Sequence, residues 1–343
     1  MKTSDFDYHL PPELIAQTPV EIRDQSRLLV LNRHNGTIEH RQFTDITEYF
    51  KASDILVFNN SRVIPARLKG KRIDTGGGVE LLLLRQLSDG TWQALVKPGK
   101  RVRQGIVIEI SNPETGKTVT AKVIESSEGG TRIIRFSDNG LLPDLGEVPL
   151  PPYIHTHLDD PERYQTVYAE PEGSAAAPTA GLHFTPQLIK EIREMGVECF
   201  FTTLHIGLDT FQPVKEENPV EHTIHREYGI VDNRTASAIR KAKSEGRRII
   251  CVGTTSVRLV EAAAQNSGDT DIQLYEGWID LYILPGYQFK IVDAMITNFH
   301  LPRSTLIMMV SAFAGVENIK NAYREAVESK YRFYSFGDAM LIL

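Results

Sequence analysis

The chain has 343 residues, of which 41% are hydrophobic and 24% charged, and it carries a net charge of −6. This length is enough for a full hydrophobic core and for two domains. The first residues contain no apolar signal region, and the longest apolar run, Leu306 to Ala314, is too short to span a bilayer. We therefore expect a cytoplasmic protein that does not act at a membrane. Two cysteines, Cys199 and Cys251, give neither a disulfide framework nor a thiolate zinc site.

The N-terminal part of the chain predicts a β-hairpin followed by a buried strand. The hairpin joins strands at 28–31 and 38–41 through an Asn35-Gly36 turn, and the next strand is expected at 55–58. Short apolar runs separated by turn residues then predict six strands, at 67–73, 79–86, 91–96, 106–110, 118–125 and 131–136. Six such strands are typical of a small closed barrel.

The second half of the chain alternates helices with strands, which is an α/β pattern. Helices are predicted at 186–195, 234–245, 256–265, 304–314 and 317–329. Strands are predicted at 197–205, 228–232, 248–252, 279–284 and 289–292. The predicted fold class is a larger α/β domain with an inserted small antiparallel β-barrel domain. Residues 1–60 and 150–343 form the discontinuous α/β domain, and residues 61–149 form the six-stranded barrel.

The two predicted domains differ in charge. Residues 62–135 contain fourteen Lys and Arg against seven Asp and Glu, so this segment carries +7 and the remainder −13. Its basic clusters, at 67–72 and 97–103, contain turn glycines, and cations on loops can contact a phosphate backbone. A solvated sheet edge carries similar charges, so charge alone leaves both interpretations open.

Residues 173–184 are nearly free of charge and bulk and end on His183 and Phe184. Small side chains leave backbone N–H groups accessible and let a ligand approach the main chain. The segment leads directly into a helix start, with Thr185 as the cap and Pro186 at the first helical position. We therefore interpret it as a binding loop, with a flexible linker as the alternative.

Two further turns, at 251–258 and 297–304, also lead from a strand into a helix. Their amides and hydroxyls can hold an anionic group at a helix N-terminus, although simple capping explains them too. Neither a Walker lysine nor the three-glycine Rossmann pattern is present. Because three such turns carry polar or aromatic tips, we predict a shared crevice at the carboxyl ends of the strands.

Seven of the ten histidines lie between residues 155 and 300. Their spacings do not form a convincing metal-ligand motif, and no His-Glu-x-x-His sequence occurs. We therefore predict no metal.

Several blocks of sequence in fixed order closely resemble the QueA family of S-adenosylmethionine:tRNA ribosyltransferase-isomerases. These blocks are residues 58–67, 164–169, 173–184, 253–258, 297–305 and 336–340. The resemblance runs from Asp7 to the C-terminus and implies an α/β domain with an inserted barrel. Residues 204–211 also match, except that Asp209 stands where the family has glycine, so we assign no role to Asp209.

The resemblance implies that the ribosyl part of S-adenosylmethionine is transferred and isomerised onto 7-aminomethyl-7-deazaguanine at the wobble position of tRNA. Epoxyqueuosine-tRNA, adenine and methionine are then the products of this step of queuosine biosynthesis. S-adenosylmethionine is a consumed co-substrate, no other cofactor is expected, and the chain is expected to act as a monomer. The barrel is the predicted tRNA-contacting domain, through Lys69, Lys71, Lys100 and Arg103.

The resemblance assigns no catalytic residue, so the roles are predicted from the residues themselves. His183 and His300 are predicted to transfer protons, because histidine titrates near neutrality; the alternative is that both are structural. The predicted substrate-binding residues are Asn60, Arg62, Tyr168, Ser174, Thr179, Gly181, Phe184, His205, Gly207, Thr254, Thr255, Ser256, Arg258, Asn298 and Phe299.

Particular contacts are expected for some of these residues. The aromatic rings of Tyr168, Phe184 and Phe299 are expected to stack on adenine or to face the sulfonium, unless they are core residues. Arg258 is expected to pair with the methionine carboxylate, unless it forms a surface salt bridge. Two other classes of protein remain open on the residues alone: a nucleic-acid-binding module without catalysis, and a small-molecule hydrolase.

Overall fold

The structure is a computed structural model, and it describes residues 1–113, 115–126, 131–207, 213–268 and 271–343. Asp209 therefore lies outside the described residues. The chain divides into two compact units. The α/β unit comprises residues 1–61, 151–171 and 177–343, and the barrel unit comprises residues 62–150 and 172–176. Within the described ranges, no helix is both long and apolar enough to cross a membrane.

The α/β unit is built on a nine-stranded mixed sheet. Numbered in chain order, its strands are β1 (Arg27–Leu31), β2 (Ile38–Gln42), β3 (Ile55–Asn59), β12 (Glu198–His205), β13 (Glu227–Val231), β14 (Ile249–Val252), β15 (Tyr275–Ile279), β16 (Ala294–Asn298) and β17 (Ala339–Ile342). Their order in the sheet is β15-β13-β12-β3-β14-β16-β17-β1-β2. The four central strands β12, β3, β14 and β16 are parallel, so their carboxyl ends share one edge.

Helices and short 3₁₀ turns cover both faces of this sheet. The helices are α2 (Pro186–Glu194), α3 (Asn233–Ser244), α4 (Thr254–Asn266), α5 (Thr305–Ala314) and α6 (Val316–Glu328). Strand β3 shows the two-sided burial: Ile55 and Val57 pack with α3 to α6, whereas Leu56 and Phe58 pack with α2. A parallel strand buried on both faces is apolar throughout, as this one is. The five predicted helices are confirmed.

Two predicted strands, at 279–284 and 289–292, are wrong. The strands of that region are β15 and β16, which lie at 275–279 and 294–298. Ile291 and Val292 are apolar, but residues 290–292 make a different set of hydrogen bonds, because the buried Glu261 carboxylate accepts all three of their backbone N–H groups at 2.9–3.0 Å. A side chain remote in sequence thus replaces the sheet as the hydrogen-bonding partner.

The barrel unit confirms the six predicted strands. They are β5 (Arg67–Arg72), β6 (Gly78–Gln86), β7 (Trp92–Lys97), β8 (Val107–Ser111), β9 (Thr118–Ser126) and β10 (Thr131–Phe136), and they close in the order β10-β7-β6-β5-β8-β9. Alternate residues such as Leu68, Leu81 and Ile108 fill the interior. A short helix, α1 (Leu142–Leu145), follows, and β4 (Arg62–Val63) pairs with β11 (Glu172–Ser174) in a two-stranded sheet.

Candidate active site

A crevice lies at the carboxyl edge of the α/β sheet. There β14 and β16 end and lead into α4 and α5, and a 3₁₀ helix spans Thr179–His183. The crevice is lined by Tyr153, Ala177, Pro178, Thr179, Ala180, Ile206, Gly253, Thr254, Thr255, Thr297, Asn298, Phe299, His300, Leu301, Leu306, Tyr334 and Ser335. The structure therefore brings together parts of the three strand-to-helix turns singled out in the sequence.

Asn59, the last residue of β3, holds two walls of the crevice in place. Its Oδ1 accepts the N–H groups of Ser61 and Leu204 at 3.1 and 3.0 Å. Its Nδ2 donates to the Leu204 carbonyl at 3.0 Å and to the Thr255 hydroxyl at 3.3 Å. Asn59 is fully buried, so these bonds lock the end of β12 and the first turn of α4 to β3. Asn59 is not among the residues predicted from the sequence, although an amide at the end of an apolar strand is a signal that can mark such a residue.

His183 is buried beside the crevice and has one free ring nitrogen. Its Nδ1 is 2.7 Å from the Ser26 hydroxyl, whereas no described residue bonds its Nε2. Burial, together with the nearby cations Arg23 and Arg332, lowers the pKa of His183 to about 4, and the Asn298 side chain opposes this shift. The ring is therefore neutral at pH 7 and can accept a proton. His183 itself is not among the lining residues.

His300 lines the crevice directly. Its Nε2 is 2.8 Å from the Thr297 hydroxyl, and its backbone N–H donates to the Tyr323 hydroxyl at 2.9 Å. Burial lowers the pKa of His300 to about 3, so this ring is also neutral at pH 7. The fixed ring orientation fits either a structural or a catalytic histidine.

Asn298 and Tyr334 form a third wall. The Asn298 Nδ2 donates to the Tyr334 carbonyl at 2.9 Å, and its buried Oδ1 accepts no hydrogen bond from the described residues. Tyr334 has φ of +69°, a left-handed conformation that is strained for a bulky side chain. The bond from Asn298 and one from the Tyr334 N–H to the Phe299 carbonyl, at 3.1 Å, hold it there. The sequence contains no signal for this strain.

The predicted aromatic contacts are placed differently from expectation. Phe184 and Phe299 are fully buried in hydrophobic clusters, and Phe299 reaches the crevice only as part of its wall. Tyr168 lies outside the lining, where its hydroxyl abuts Gly181: a Cβ there would be 2.1 Å from it. Burial raises the pKa of Tyr168 well above its ordinary value. The rings that line the crevice beside Phe299 are Tyr153 and Tyr334.

Arg258 has a protein carboxylate as its partner, where the sequence predicted a substrate carboxylate. It forms an ion pair with Glu227, and the two side chains are only 5% and 4% exposed. The Arg258 Nε also donates to the Leu281 carbonyl at 3.2 Å. Glu227 accepts the Gly207 N–H at 3.1 Å through its other oxygen. Arg258 is outside the crevice lining, which explains the difference from expectation.

Several other predicted residues also lie outside the lining. Ser256 is buried within α4, where its hydroxyl donates to the Val252 carbonyl at 2.9 Å. Asn60 accepts the Thr203 hydroxyl at 2.8 Å. The half-buried His205 precedes the lining residue Ile206, and no described residue bonds its buried Nδ1; burial lowers its pKa. Arg62 and Ser174 belong to the barrel unit, on β4 and β11.

The four predicted tRNA-binding cations are all exposed on the barrel unit. Lys69 pairs with Glu147 at 2.8 Å, whereas Lys71, Lys100 and Arg103 form no ion pair with any described residue. Three charges are therefore available to an external anion.

A larger cavity, of about 520 Å³, lies at the opposite edge of the α/β sheet and is lined by Arg33, Lys243, Arg247 and Arg248 among others. Arg248 pairs with Asp54, Arg247 with Glu198, and Lys243 with Asp293. The Arg33 guanidinium stacks over the Phe313 ring at 4.1 Å. Because these cations already have partners, we take the crevice, rather than this cavity, as the active-site candidate.

No group of three or more His, Cys, Asp or Glu side chains is placed to hold a metal ion within the part of the chain that the structure describes. Fold and crevice together define an α/β protein with an inserted barrel and a polar, histidine-bearing crevice at the carboxyl edge of its sheet.

Comparison with known proteins identifies the family. The family model described as queuosine biosynthesis protein matches residues 3–342, and the chain belongs to this family. It is 59% identical over 343 residues to the S-adenosylmethionine:tRNA ribosyltransferase-isomerase of Dehalococcoides mccartyi strain CBDB1, covering 100% of both chains. It is 53% identical over 346 residues to the enzyme of that name from Clostridioides difficile strain 630, again covering 100% of both.

A solved structure also matches, that of S-adenosylmethionine tRNA ribosyltransferase from Thermotoga maritima. It is 41% identical, with a TM-score of 0.57, over 99% of this chain and 100% of that chain. The family expected from the sequence blocks is thereby confirmed, and the chain is an enzyme of queuosine biosynthesis. The two alternative classes, a nucleic-acid-binding module without catalysis and a small-molecule hydrolase, lose their support.

Proposed function

We propose that the chain transfers and isomerises the ribosyl part of S-adenosylmethionine onto 7-aminomethyl-7-deazaguanine at the wobble position of tRNA. Epoxyqueuosine-tRNA, adenine and methionine are the products. One observation carries the proposal: relatives with this enzyme name match the chain from end to end at 59% and 53% identity.

The chemistry requires a proton acceptor and a dry, shaped pocket. The sulfonium acidifies the C5′ protons, so a base that removes one of them gives an ylide, which expels adenine and opens the ribose. The tRNA-borne amine then attacks the fragment, and methionine leaves as the epoxide closes. The protein has to orient the donor, accept and return protons, and exclude water.

We assign proton transfer to His183 and His300. Both rings are neutral at pH 7, because burial lowers their pKa values to about 4 and about 3. In the tautomer whose Nδ1–H donates to the Ser26 hydroxyl, that bond orients the ring and leaves Nε2 to accept a proton. His300 lines the crevice itself.

The donor is held, in this proposal, by the rings of Tyr153 and Tyr334 and by the polar groups of Thr179, Thr254 and Asn298, all of which line the crevice. Aromatic faces attract a cationic sulfur, and the Asn298 Oδ1 is a buried acceptor that needs a donor. The crevice has a volume of about 50 Å³, room for about one or two water molecules. S-adenosylmethionine therefore binds only when the walls move apart.

The test measures adenine release from S-adenosylmethionine with tRNA that carries the modified base, together with the mass of the product tRNA. We expect adenine in step with an epoxycyclopentane-type addition. A methylated base with S-adenosylhomocysteine contradicts the proposal, and adenine release without tRNA indicates a hydrolase. His183→Gln and His300→Gln should each lower kcat by about 100-fold to 10,000-fold and leave the KM for tRNA unchanged.

We further propose that turnover needs no metal or other cofactor, that the chain acts as a monomer, and that it works in the cytoplasm, where its tRNA substrate is. Exhaustive chelation should leave kcat intact. Activity that is lost on chelation and restored by one particular metal ion contradicts the first of these proposals, and a dimeric mass in sedimentation contradicts the second.

A further inference from the structure

The Glu227–Arg258 ion pair is buried in the α/β unit, outside the crevice lining. Two charged side chains that are 4% and 5% exposed have lost their hydration, and such a pair is often replaceable by apolar residues without loss of stability. Its contribution to the free energy of unfolding is therefore a weak reason for its presence. What the pair contacts is more informative.

Glu227, the first residue of β13, holds the end of β12. Its Oε1 accepts the N–H of Gly207 at 3.1 Å, and the preceding residue, Ile206, lines the crevice. Because Gly207 has no side chain, this backbone hydrogen bond is the contact through which Glu227 acts on the wall.

The same carboxylate also holds α4. Its Oε2 pairs with Arg258, which lies one turn beyond Thr254 and Thr255, and both threonines line the crevice. The Arg258 Nε donates to the Leu281 carbonyl, so the guanidinium is fixed on its far side. One buried carboxylate thus connects the segment that follows β12 to α4, and both contribute residues to the crevice lining.

We propose that Glu227 is a positioning residue for the ribosyl-transfer reaction: through the Gly207 N–H and Arg258 it sets the spacing between the Ile206 wall and the Thr254–Thr255 wall. This inference rests on the proposed function. Glu227 does not touch the crevice itself, because it is not among the lining residues.

The decisive experiment separates positioning from stability. Glu227→Leu combined with Arg258→Met removes both charges and keeps the volume, so we expect a folded protein. It also leaves the Gly207 N–H without its acceptor. We expect kcat/KM for S-adenosylmethionine to fall about 100-fold, since small misplacements of reacting groups have effects of this size. The KM for tRNA should stay close to wild type, and the loss in stability should not exceed the cost of one backbone N–H without its acceptor, about 1–3 kcal/mol.

A matched control removes a comparable pair elsewhere in the same sheet. Asp54 and Arg248 precede β3 and β14 at the edge opposite the crevice, and Asp54 is fully buried. Asp54→Leu with Arg248→Met should leave kcat/KM for S-adenosylmethionine within about threefold of wild type for the folded fraction, because the pair touches no crevice wall.

A rescue variant tests the hydrogen bonds separately from the charge. Glu227→Gln with Arg258→Gln keeps an acceptor for the Gly207 N–H and allows an amide bond to α4. We expect it to recover kcat/KM to within about tenfold of wild type. If the Leu/Met variant does not fold, Glu227→Asp, one methylene shorter, should raise the KM for S-adenosylmethionine while the KM for tRNA is unchanged.

Wild-type kinetics in the folded Leu/Met variant, or in Glu227→Asp where that variant serves, overturn the inference. An equal loss of activity in the Leu/Met and Gln/Gln variants also overturns it, because the charge of Glu227, and not its hydrogen bonds to Gly207 and α4, would then matter. Absence of adenine release from the wild-type enzyme contradicts the proposed function instead, so the two failures are distinguishable.

Discussion

His183 shows how burial changes the chemistry of one side chain. Its pKa falls from 6.5 to about 4 because the buried site disfavours the charged imidazolium. Between these two pH values the unfolded chain binds more protons than the folded one at this position. Stability is therefore lost as the pH falls from about 6.5 to about 4, and it is fully present above that range.

This predicts a pH-dependent difference between wild type and His183→Gln. As the pH falls from 7 to 4, wild type should lose about 3 kcal/mol of unfolding free energy relative to the variant. Urea unfolding at pH 7, 6, 5 and 4 measures it. His157→Gln is the matched control, because the His157 side chain is 88% exposed and should change nothing. Parallel pH curves for wild type and His183→Gln would show that His183 is not buried in the neutral form.

Gly181 is required because of the space that Tyr168 occupies. Gly181→Ala would bring a Cβ to 2.1 Å from the Tyr168 hydroxyl, so ring or backbone has to shift. We expect about 1–3 kcal/mol of destabilisation and a raised KM for S-adenosylmethionine, because Thr179 and Ala180 of the same 3₁₀ helix line the crevice. Gly78→Ala, where no atom lies within 4 Å of the added Cβ, should stay within about 0.5 kcal/mol of wild type. An equal effect of both substitutions would contradict this packing argument.

At the scale of elements, α4 combines two buried carboxylate contacts with a crevice wall. Glu261, near its middle, accepts the N–H groups of residues 290–292, and Glu227 reaches its second turn through Arg258. The helix is therefore held along its length by charged hydrogen bonds and not only by apolar packing. Such bonds are stronger than neutral ones when the acceptor is a carboxylate.

Glu261→Gln tests this attachment. The glutamine amide keeps one oxygen as an acceptor, but its NH2 group replaces the other oxygen. At least one backbone N–H of residues 290–292 therefore loses its acceptor. We predict a loss of about 1–3 kcal/mol in unfolding free energy, measured by urea denaturation. Glu317→Gln on α6, whose carboxylate is 81% exposed, should cost less than about 0.5 kcal/mol. A loss of unfolding free energy for Glu261→Gln within that same small range would mean that the conformation of residues 290–292 does not depend on the carboxylate.

At the scale of the whole molecule, charge is divided between the basic barrel segment and the acidic remainder. Exposed cations on the barrel suit a polyanion, whereas the crevice of the α/β unit suits a small cationic donor. Substitutions of the barrel cations and substitutions in the crevice should therefore change different kinetic parameters.

Neutralising Lys69, Lys71, Lys100 and Arg103 together should raise the KM for tRNA and flatten its salt dependence. Each lost phosphate contact removes up to about 0.7–0.9 from the slope of log K against log salt. The KM for S-adenosylmethionine should be unchanged, which serves as the internal control. An unchanged tRNA KM and salt slope in the folded variant would place the tRNA surface on the α/β unit.

The sequence by itself determined the local elements and the family. Period-2 and period-3.6 patterns, caps such as Thr185 and turn glycines act within a few residues, so the barrel strands and all five long helices were predictable. The family blocks pointed to the reaction for the same reason, since they are contiguous.

Only the tertiary structure decided which of the marked residues face the crevice. It made Arg258 the partner of Glu227, placed Phe184 and Tyr168 outside the crevice lining, and put Tyr153 and Tyr334 on the crevice wall. It also made the Glu261 carboxylate, and not a neighbouring strand, the acceptor for the backbone N–H groups of residues 290–292. Each of these outcomes depends on contacts between residues far apart in the chain, which burial and hydrogen-bond satisfaction select and which no local pattern encodes.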